Sequence, residues 1–335
     1  MATSGEKASG RHCAVVYNPT KVDLARLRES VNAAASAAGW AGTEWFSTST
    51  SDPGREATRR ALDRGASMVI VAGGDGTVRA AAESLRGSGV SLAIVPSGTG
   101  NLLARNLGLP LTSPDAAAAI AFTGVDRPVD LGIASITTDD GETVDHVFLV
   151  MAGLGLDAEM IVKTRPALKK QVGWLAYVDA GVRVIPRAEQ FHIRYSLGGG
   201  AEHQARISTI LVVNCGMLPG NLQFLPDARL DDGILDIAVM RPTGVLGWLK
   251  IWRRVTWENE ALRRRAAGRK IVRHTESSNE RLMTTLRSAD ISIAVDEPQE
   301  FELDGDDFGR VRAVLLRADP NALVVRVAAA SPAPA

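Results

Sequence analysis

Five residues, Gly73-Gly74-Asp75-Gly76-Thr77, stand directly behind the apolar run Met68-Val69-Ile70-Val71-Ala72 and ahead of a helix-patterned stretch, 78–85. Few local patterns constrain a chain as strongly as strand, glycine turn, helix. Glycine lacks a Cβ, so such a turn lets the backbone come close to an anion, and the next helix offers it unpaired N–H groups. Asp75 repels a bare phosphate. It makes sense there if a divalent cation or a donor hydroxyl lies between the two anions. A plain tight turn has the same composition, but the chain repeats the device. Leu92-Ala93-Ile94-Val95 leads into Pro96-Ser97-Gly98-Thr99-Gly100-Asn101 and a helix pattern over 102–107, and Cys13-Ala14-Val15-Val16-Tyr17 ends at Asn18-Pro19-Thr20. In doubly wound sheets ligands bind outside the carboxyl ends of the parallel strands. Three polar or glycine-rich loops would then line one crevice, a nucleotide kinase site.

The rest of the chain supports a two-part α/β reading. Up to residue 129 the pattern alternates: helix over 23–38, strand over 43–47, helix over 53–64, the two glycine loops, then an alanine-rich helix over 114–122. This predicts an N-terminal doubly wound parallel α/β domain. From Asp130 onward short apolar strands take over, at 146–152, 190–197, 205–213 and 234–240, with Gly198-Gly199-Gly200 as a hairpin loop. A C-terminal, mostly antiparallel β-sandwich domain follows. The expected domains are 11–129 and 130–315, with 1–10 and 329–335 as disordered tails.

Lys+Arg and Asp+Glu balance at 38 each, so charge gives no case for nucleic acid. Cys13 and Cys215 sit in apolar, strand-like contexts and read as buried thiols. Five scattered histidines show no zinc spacing. No apolar run approaches the ~18 residues that span a bilayer, and 1–10 lacks the apolar core of a signal peptide. A cytoplasmic protein is expected.

Taken in order, Asn18-Pro19, Gly73-Gly74-Asp75-Gly76-Thr77 and Pro96-Ser97-Gly98-Thr99-Gly100-Asn101 resemble the diacylglycerol kinase catalytic-domain family of lipid kinases, which includes bacterial diacylglycerol kinases, sphingosine kinases and ceramide kinases. The resemblance continues through Val129-Asp130-Leu131-Gly132, Gly153-Leu154-Gly155-Leu156-Asp157-Ala158, Leu225-Pro226-Asp227-Ala228-Arg229-Leu230-Asp231-Asp232-Gly233 and Leu303-Asp304-Gly305-Asp306, covering roughly 11–328. It implies a kinase that uses ATP and Mg2+ on a lipid substrate, with the active site in the cleft between domains. The end of the chain, about 316–328, would return to the first domain, with its strand at 322–327. Asn18, Gly73, Gly74, Asp75, Gly76, Thr77, Ser97, Gly98, Thr99 and Asn101 would hold the nucleotide. Thr77, Thr99 and Asn101 would act as donors, and Asp75 and Asp130 would meet Mg2+. On the acceptor side the resemblance implies Asp232 and Asp306, a carboxylate pair in which one charge makes the other a better base. Asp231 and Asp236 read as turn chemistry and solvated charge. The resemblance leaves a homodimer open without marking an interface.

Two positions depart from the family pattern. Many members have glutamate where this chain has Asp306, one methylene shorter, and Asp307 could take that role. Many also carry aspartate at Leu102. An NAD kinase, whose fold family also uses Gly-Gly-Asp-Gly, and a weakly active nucleotide- or lipid-binding sensor are the competing readings.

One local bias stands out from the neutral whole. Between Trp248 and Arg273 there are nine Lys/Arg against two acidic residues. Trp248, Trp252 and Val255 fall on one helical side beside Arg253 and Arg254. Such a face can lie in the headgroup layer of an anionic membrane, or the tryptophans can pack inward while the arginines are solvated. The first alternative makes the protein peripheral to the inner face of the membrane.

Overall fold

The computed structural model describes residues 11–138, 141–155, 190–218, 222–242, 246–248, 250, 251, 253, 255 and 282–329. The described elements are β1 (Cys13–Tyr17), α1 (Leu24–Ala37), β2 (Thr43–Ser47), α2 (Arg55–Asp63), β3 (Met68–Gly73), α3 (Asp75–Leu85), β4 (Ser91–Pro96), α4 (Leu102–Asn106) and α5 (Pro114–Thr123). There follow β5 (Val125–Thr138), β6 (Thr143–Phe148), β7 (Met151–Leu154), β8 (Phe191–Leu197), β9 (His203–Ile207), β10 (Thr209–Val213), β11 (Met217–Leu218), β12 (Leu222–Gln223), β13 (Leu235–Met240), β14 (Met283–Ser288), β15 (Asp290–Leu303) and β16 (Asp306–Val327). Two compact units divide the chain. The first comprises Met1–Gly98, Leu107–Pro128 and Leu323–Ala335, and the second Thr99–Asn106 and Val129–Ala322.

In the first unit β2, β1, β3 and β4 lie side by side, every pair parallel. The end of β16 joins β4, also parallel, at Val325 opposite Leu92. Cys13, Val15, Met68, Ile70, Ala72, Ala93 and Val95 form one core with Leu27 and Val31 of α1 and Ala118 and Phe122 of α5. The alternate strand residues Ala14, Val16, Val69 and Val71 are buried too. Period-2 alternation turns them to the opposite face, and a parallel sheet covered on both faces explains strands that are apolar throughout. The helices start at readable signals. Asp23 accepts from the Arg26 N–H at 3.1 Å, Asp52 accepts from the N–H groups of Gly54, Glu56 and Ala57, and Ser113 caps a helix whose first residue is Pro114. Each such cap is worth about 1 kcal/mol. Because the strands run the same way, the loops after β1, β3 and β4 leave from one edge of the sheet.

The second unit is antiparallel. Strands β14, β13, β10, β7 and β15 follow one another in that order; β15 also pairs with β8 and β16, β8 with β9, and β5 with β6, while β11 and β12 make a small separate ladder. Its core gathers Phe148, Leu154, Ile193, Ile237, Ile293, Phe301, Leu303 and Leu316. The expected hairpin at Gly198-Gly199-Gly200 joins β8 and β9, with Gly198 and Gly199 both at positive φ.

Two expected strands prove to be broken. The apolar run 146–152 ends β6 at Phe148 and begins β7 at Met151, because the Asp304 carboxylate takes the N–H groups of Leu149, Val150 and Met151 out of any ladder. The run 205–213 divides at Ser208 into β9 and β10. Gly132 shows how tightly β5 meets β6. A Cβ there would lie 2.1 Å from Phe148 Cζ, and Phe148 is fully buried. Gly132→Ala is therefore expected to cost about 1–3 kcal/mol by overpacking, read as a lower urea midpoint; an unmoved midpoint would mean that the ring can step aside.

Candidate active site

The first unit contributes a cradle built from three loops. The Asn18 N–H donates to the Ala72 carbonyl at 2.9 Å, and the Ser97 N–H to the Gly73 carbonyl at 3.0 Å, so the three strand ends are tied to one another. Gly74 is the N-cap of α3, and α3 has no side-chain cap. A Cβ on Gly74 would stand 2.9 Å from Lys21 Nζ and 3.5 Å from the Gly98 Cα. The glycine is thus the gap across which the Lys21 ammonium and the 97–98 loop approach the start of the helix. Lys21 is exposed, with no ion-pair partner among the described residues. Asn18 turns its side-chain oxygen to the Thr20 N–H and hydroxyl, at 3.0 and 2.8 Å. That leaves its Nδ2 as a donor. An ammonium, an amide donor and the positive end of α3 converge, which is the chemistry that holds phosphate.

The other expected nucleotide residues are placed as follows. Asp75 and Gly76 are half-buried in the first turn of α3. Thr77, expected as a hydroxyl donor, is buried, with its side chain packed beneath Gly73. Ser97 gives its hydroxyl proton to the Val95 carbonyl at 3.1 Å. Thr99 is exposed and Asn101 buried at φ +49°, both in the second unit. Leu102, where the family resemblance leads one to expect aspartate, is fully buried.

The second unit holds two groups of carboxylates. In the first, Asp232 Oδ2 accepts from Arg287 Nη2 at 2.6 Å, and Asp236 Oδ1 accepts from Arg287 Nε at 3.0 Å. The antiparallel register of β13 and β14, with Asp236 opposite Arg287, brings this about. Asp236 is buried, not solvated as the sequence suggested, and its Oδ2 has no hydrogen-bond partner. Burial raises its carboxyl above the ordinary value, against the pull of Arg287. Asp232 also accepts from the Ile234 N–H at 3.2 Å. Asp231 makes a local ion pair with Arg229 at 3.2 Å.

Asp130 underlies this group. Its Oδ2 accepts from the Gly233 N–H at 2.6 Å and its Oδ1 from the Asn321 N–H at 2.8 Å. Only 2% of it is exposed, so the side chain expected to meet Mg2+ spends both oxygens on backbone and fixes the loop that carries Asp232.

The second group sits at the hairpin between β15 and β16. Leu303 pairs with Asp306, so Asp304 and Gly305 are the two loop residues. Their φ values, +52° and +89°, are the positive pair that a tight hairpin turn demands. Asp306 and Asp307 are exposed, whereas Glu302, opposite Asp307 in the ladder, is buried. Asp232 and Asp306, expected as a pair, thus each belong to a separate set of neighbours. Among the described residues no group of three or more His, Cys, Asp or Glu could hold a metal by itself. Mg2+ needs no such cage, since it binds through one or two carboxylates together with substrate phosphates and water.

The sequence leaves the stretch around Trp248 open to a membrane surface or to a core. Residues 246–248, 250, 251, 253 and 255 are helical. Ile251 and Val255 are buried and Trp248 is half-buried, so this stripe packs inward. Leu246, Lys250 and Arg253, at spacings of four and three, form the exposed face. Trp252 and Arg254 lie outside the described residues. No described helix is long and apolar enough to cross a membrane.

The diacylglycerol kinase catalytic domain family matches residues 12–134, and the YegS C-terminal NAD kinase beta sandwich-like domain matches 149–327. The chain belongs to the diacylglycerol kinase family of lipid kinases, with a YegS-type C-terminal half. A Pseudomonas aeruginosa protein named "Probable lipid kinase YegS-like" is 34% identical over 226 residues, 66% of this chain and 71% of that protein. A Bacillus subtilis protein named diacylglycerol kinase is 28% identical over 247 residues, 71% of this chain and 76% of its own length. A solved Bacillus anthracis diacylglycerol kinase matches with a TM-score of 0.66 at 21% identity, over 96% of this chain and 98% of that one, a likeness of fold.

Proposed function

We propose that this chain transfers the γ-phosphoryl group of ATP to the hydroxyl of a lipid, diacylglycerol first among the acceptors, giving phosphatidic acid. The observation that carries the reading is the cradle at Gly74, where Lys21 Nζ stands over the uncapped start of α3 in a chain that belongs to a lipid kinase family. In this reading Lys21, the Asn18 amide and the backbone of 73–76 and 97–98 hold the polyphosphate. Mg2+, when bound, neutralises charge on the β- and γ-phosphates, and Asp75 is the carboxylate of this cradle that would meet it. Asp232 takes the proton of the acceptor hydroxyl, oriented by Arg287 and by the Ile234 N–H. Asp130 keeps that loop in place, and Asp306 is the second acceptor-side carboxylate. The exposed face of Leu246, Lys250 and Arg253 is suited to an anionic membrane surface, where a lipid acceptor resides.

A labelled-phosphate assay tests the reading. Protein, γ-labelled ATP and Mg2+ meet mixed micelles of diacylglycerol, sphingosine or ceramide, with NAD in a parallel tube. Label in the organic phase of the diacylglycerol tube is the expected result; label on NAD alone overturns it, and ATP binding without transfer points to a sensor. Lys21→Ala is expected to raise KM for ATP about ten- to a hundredfold, the loss of one hydrogen bond to a charged group, with KM for the lipid unchanged. An unaltered KM for ATP would remove Lys21 from the phosphate site.

A further inference from the structure

Glu302 is the feature of the second unit that the proposed chemistry leaves unused. It lies on β15 between Phe301 and Leu303, both core residues, so alternation turns it to the opposite face. Even there it is 3% exposed, and its Oε2 has no hydrogen-bond partner. A buried, unpaired carboxylate is one of the costliest groups a fold can carry. Its surroundings are worse than neutral. Asp307 faces it across the ladder, Asp306 follows in the same hairpin, and Glu300, two residues back across a β-bulge, is itself paired with Arg310 at 3.8 Å. On its other side β7 contributes Met151, Ala152, Gly153 and Leu154, which bring no charge. Burial first, then the charges of Asp307, Asp306 and Glu300, push the Glu302 carboxyl up to about 8. A proton on Glu302 removes the conflict, and no described cation does so.

We propose that Glu302 is a positioning residue for Asp306: it stays protonated within the β15–β16 hairpin, and so keeps closed the turn that presents Asp306. This rests on the reading of Asp306 as an acceptor-side carboxylate. The chemistry is a proton equilibrium with no covalent step. If Glu302 loses its proton, a charge is sealed inside a hairpin that already carries Glu300, Asp304, Asp306 and Asp307, and the turn opens to water. Asp306 then no longer serves the acceptor.

The sign of the pH effect follows. An unfolded Glu302 ionises near 4.5 and the folded one at about 8. Between those values the folded chain binds more protons, so stability falls as pH rises through the window and levels off above it. The test compares the full-length chain with Glu302→Gln, which keeps the shape and cannot ionise, and with Asp306→Asn. Thermal midpoints are read from pH 4 to 9. Glu302→Gln is expected to gain on the parent between about pH 4.5 and 8, and Asp306→Asn to move the upper end of that window to lower pH. The transfer rate at saturating substrate should drop about tenfold per pH unit above 8 in the parent and stay level in Glu302→Gln. Parallel melting profiles for parent and Glu302→Gln would show that no proton is held there and overturn the proposal. A window unmoved by Asp306→Asn, or a falling rate limb unchanged in Glu302→Gln, would reduce Glu302 to a structural residue and overturn it equally. If the parent transfers phosphate to nothing offered, the lipid kinase reading fails; the melting profiles then decide alone whether Glu302 and Asp306 are coupled.

Discussion

Asp232→Asn is expected to lower phosphate transfer by about 10²–10⁴-fold, the usual contribution of a positioned base, while ATP binds as before. Asparagine matches aspartate in size and keeps one acceptor oxygen, so it retains one of the two contacts made with the Ile234 N–H and Arg287. Asp236 still holds the guanidinium from the other side. What the amide cannot do is take a proton. Transfer rates at saturating lipid, set beside calorimetric titration with ATP, separate the two effects. A variant within tenfold of the parent would place the base elsewhere, with Asp306 and Asp307 next in line. Arginine contact fixes the direction of the Asp232 carboxylate, which suits phosphoryl transfer, where aligning the attacking oxygen matters more than strong base catalysis.

Asp304→Ala should be the most destabilising single change at this site. The carboxylate is 6% exposed and accepts from the N–H groups of Leu149, Val150 and Met151 at 2.8, 2.8 and 3.1 Å. Hydrogen bonds to a charged group are worth roughly 1.5–3 kcal/mol each, and donors left buried and unpaired add a penalty. The backbone adds more, since Asp304 sits at φ +52°, where alanine is less at ease than aspartate. The sum is about 4 kcal/mol or more, set against a typical total of ~5–15 kcal/mol. Urea unfolding measures it. A loss under about 1 kcal/mol would mean that water reaches those amides once the carboxylate is gone. Activity alone would mislead here, because this variant loses function by loosening the chain.

The parallel first sheet was legible because β1, β3 and β4 carry their own evidence: apolar runs of the right length that lead into Asn18, Gly73-Gly74 and Ser97-Gly98. Helix starts were legible for the same local reason, through Asp23, Asp52 and Ser113. The residues that complete the site lie beyond local signals. Lys21 reaches Gly74 only because β1 lies beside β3, an ordering that no residue announces. Arg287 meets Asp232 and Asp236 through the register of β13 and β14, set by partners about fifty residues apart. Glu302 reads in sequence as the polar half of an alternating strand, and burial of that face is a tertiary fact. The Asp304-Gly305 turn, by contrast, did carry a signal, since Asp-Gly between two strands marks a two-residue hairpin. The inward packing of Val255 was undecidable from spacing, because a stripe that fits a membrane also fits a core.

Asp130 ties the timing of assembly to the geometry of the acceptor side. Its two oxygens bind the backbone at Gly233 and at Asn321, positions 103 and 191 residues further along the chain. During synthesis β1, β2, β3 and β4 can pair early, being near neighbours in sequence, while the end of β16 joins β4 last. The contact of Asp130 with Asn321 has to wait until residue 321 has emerged. A chain cut short between residues 233 and 321 would therefore pair β1, β2, β3 and β4 yet leave one Asp130 oxygen without its backbone partner beneath the loop that carries Asp232.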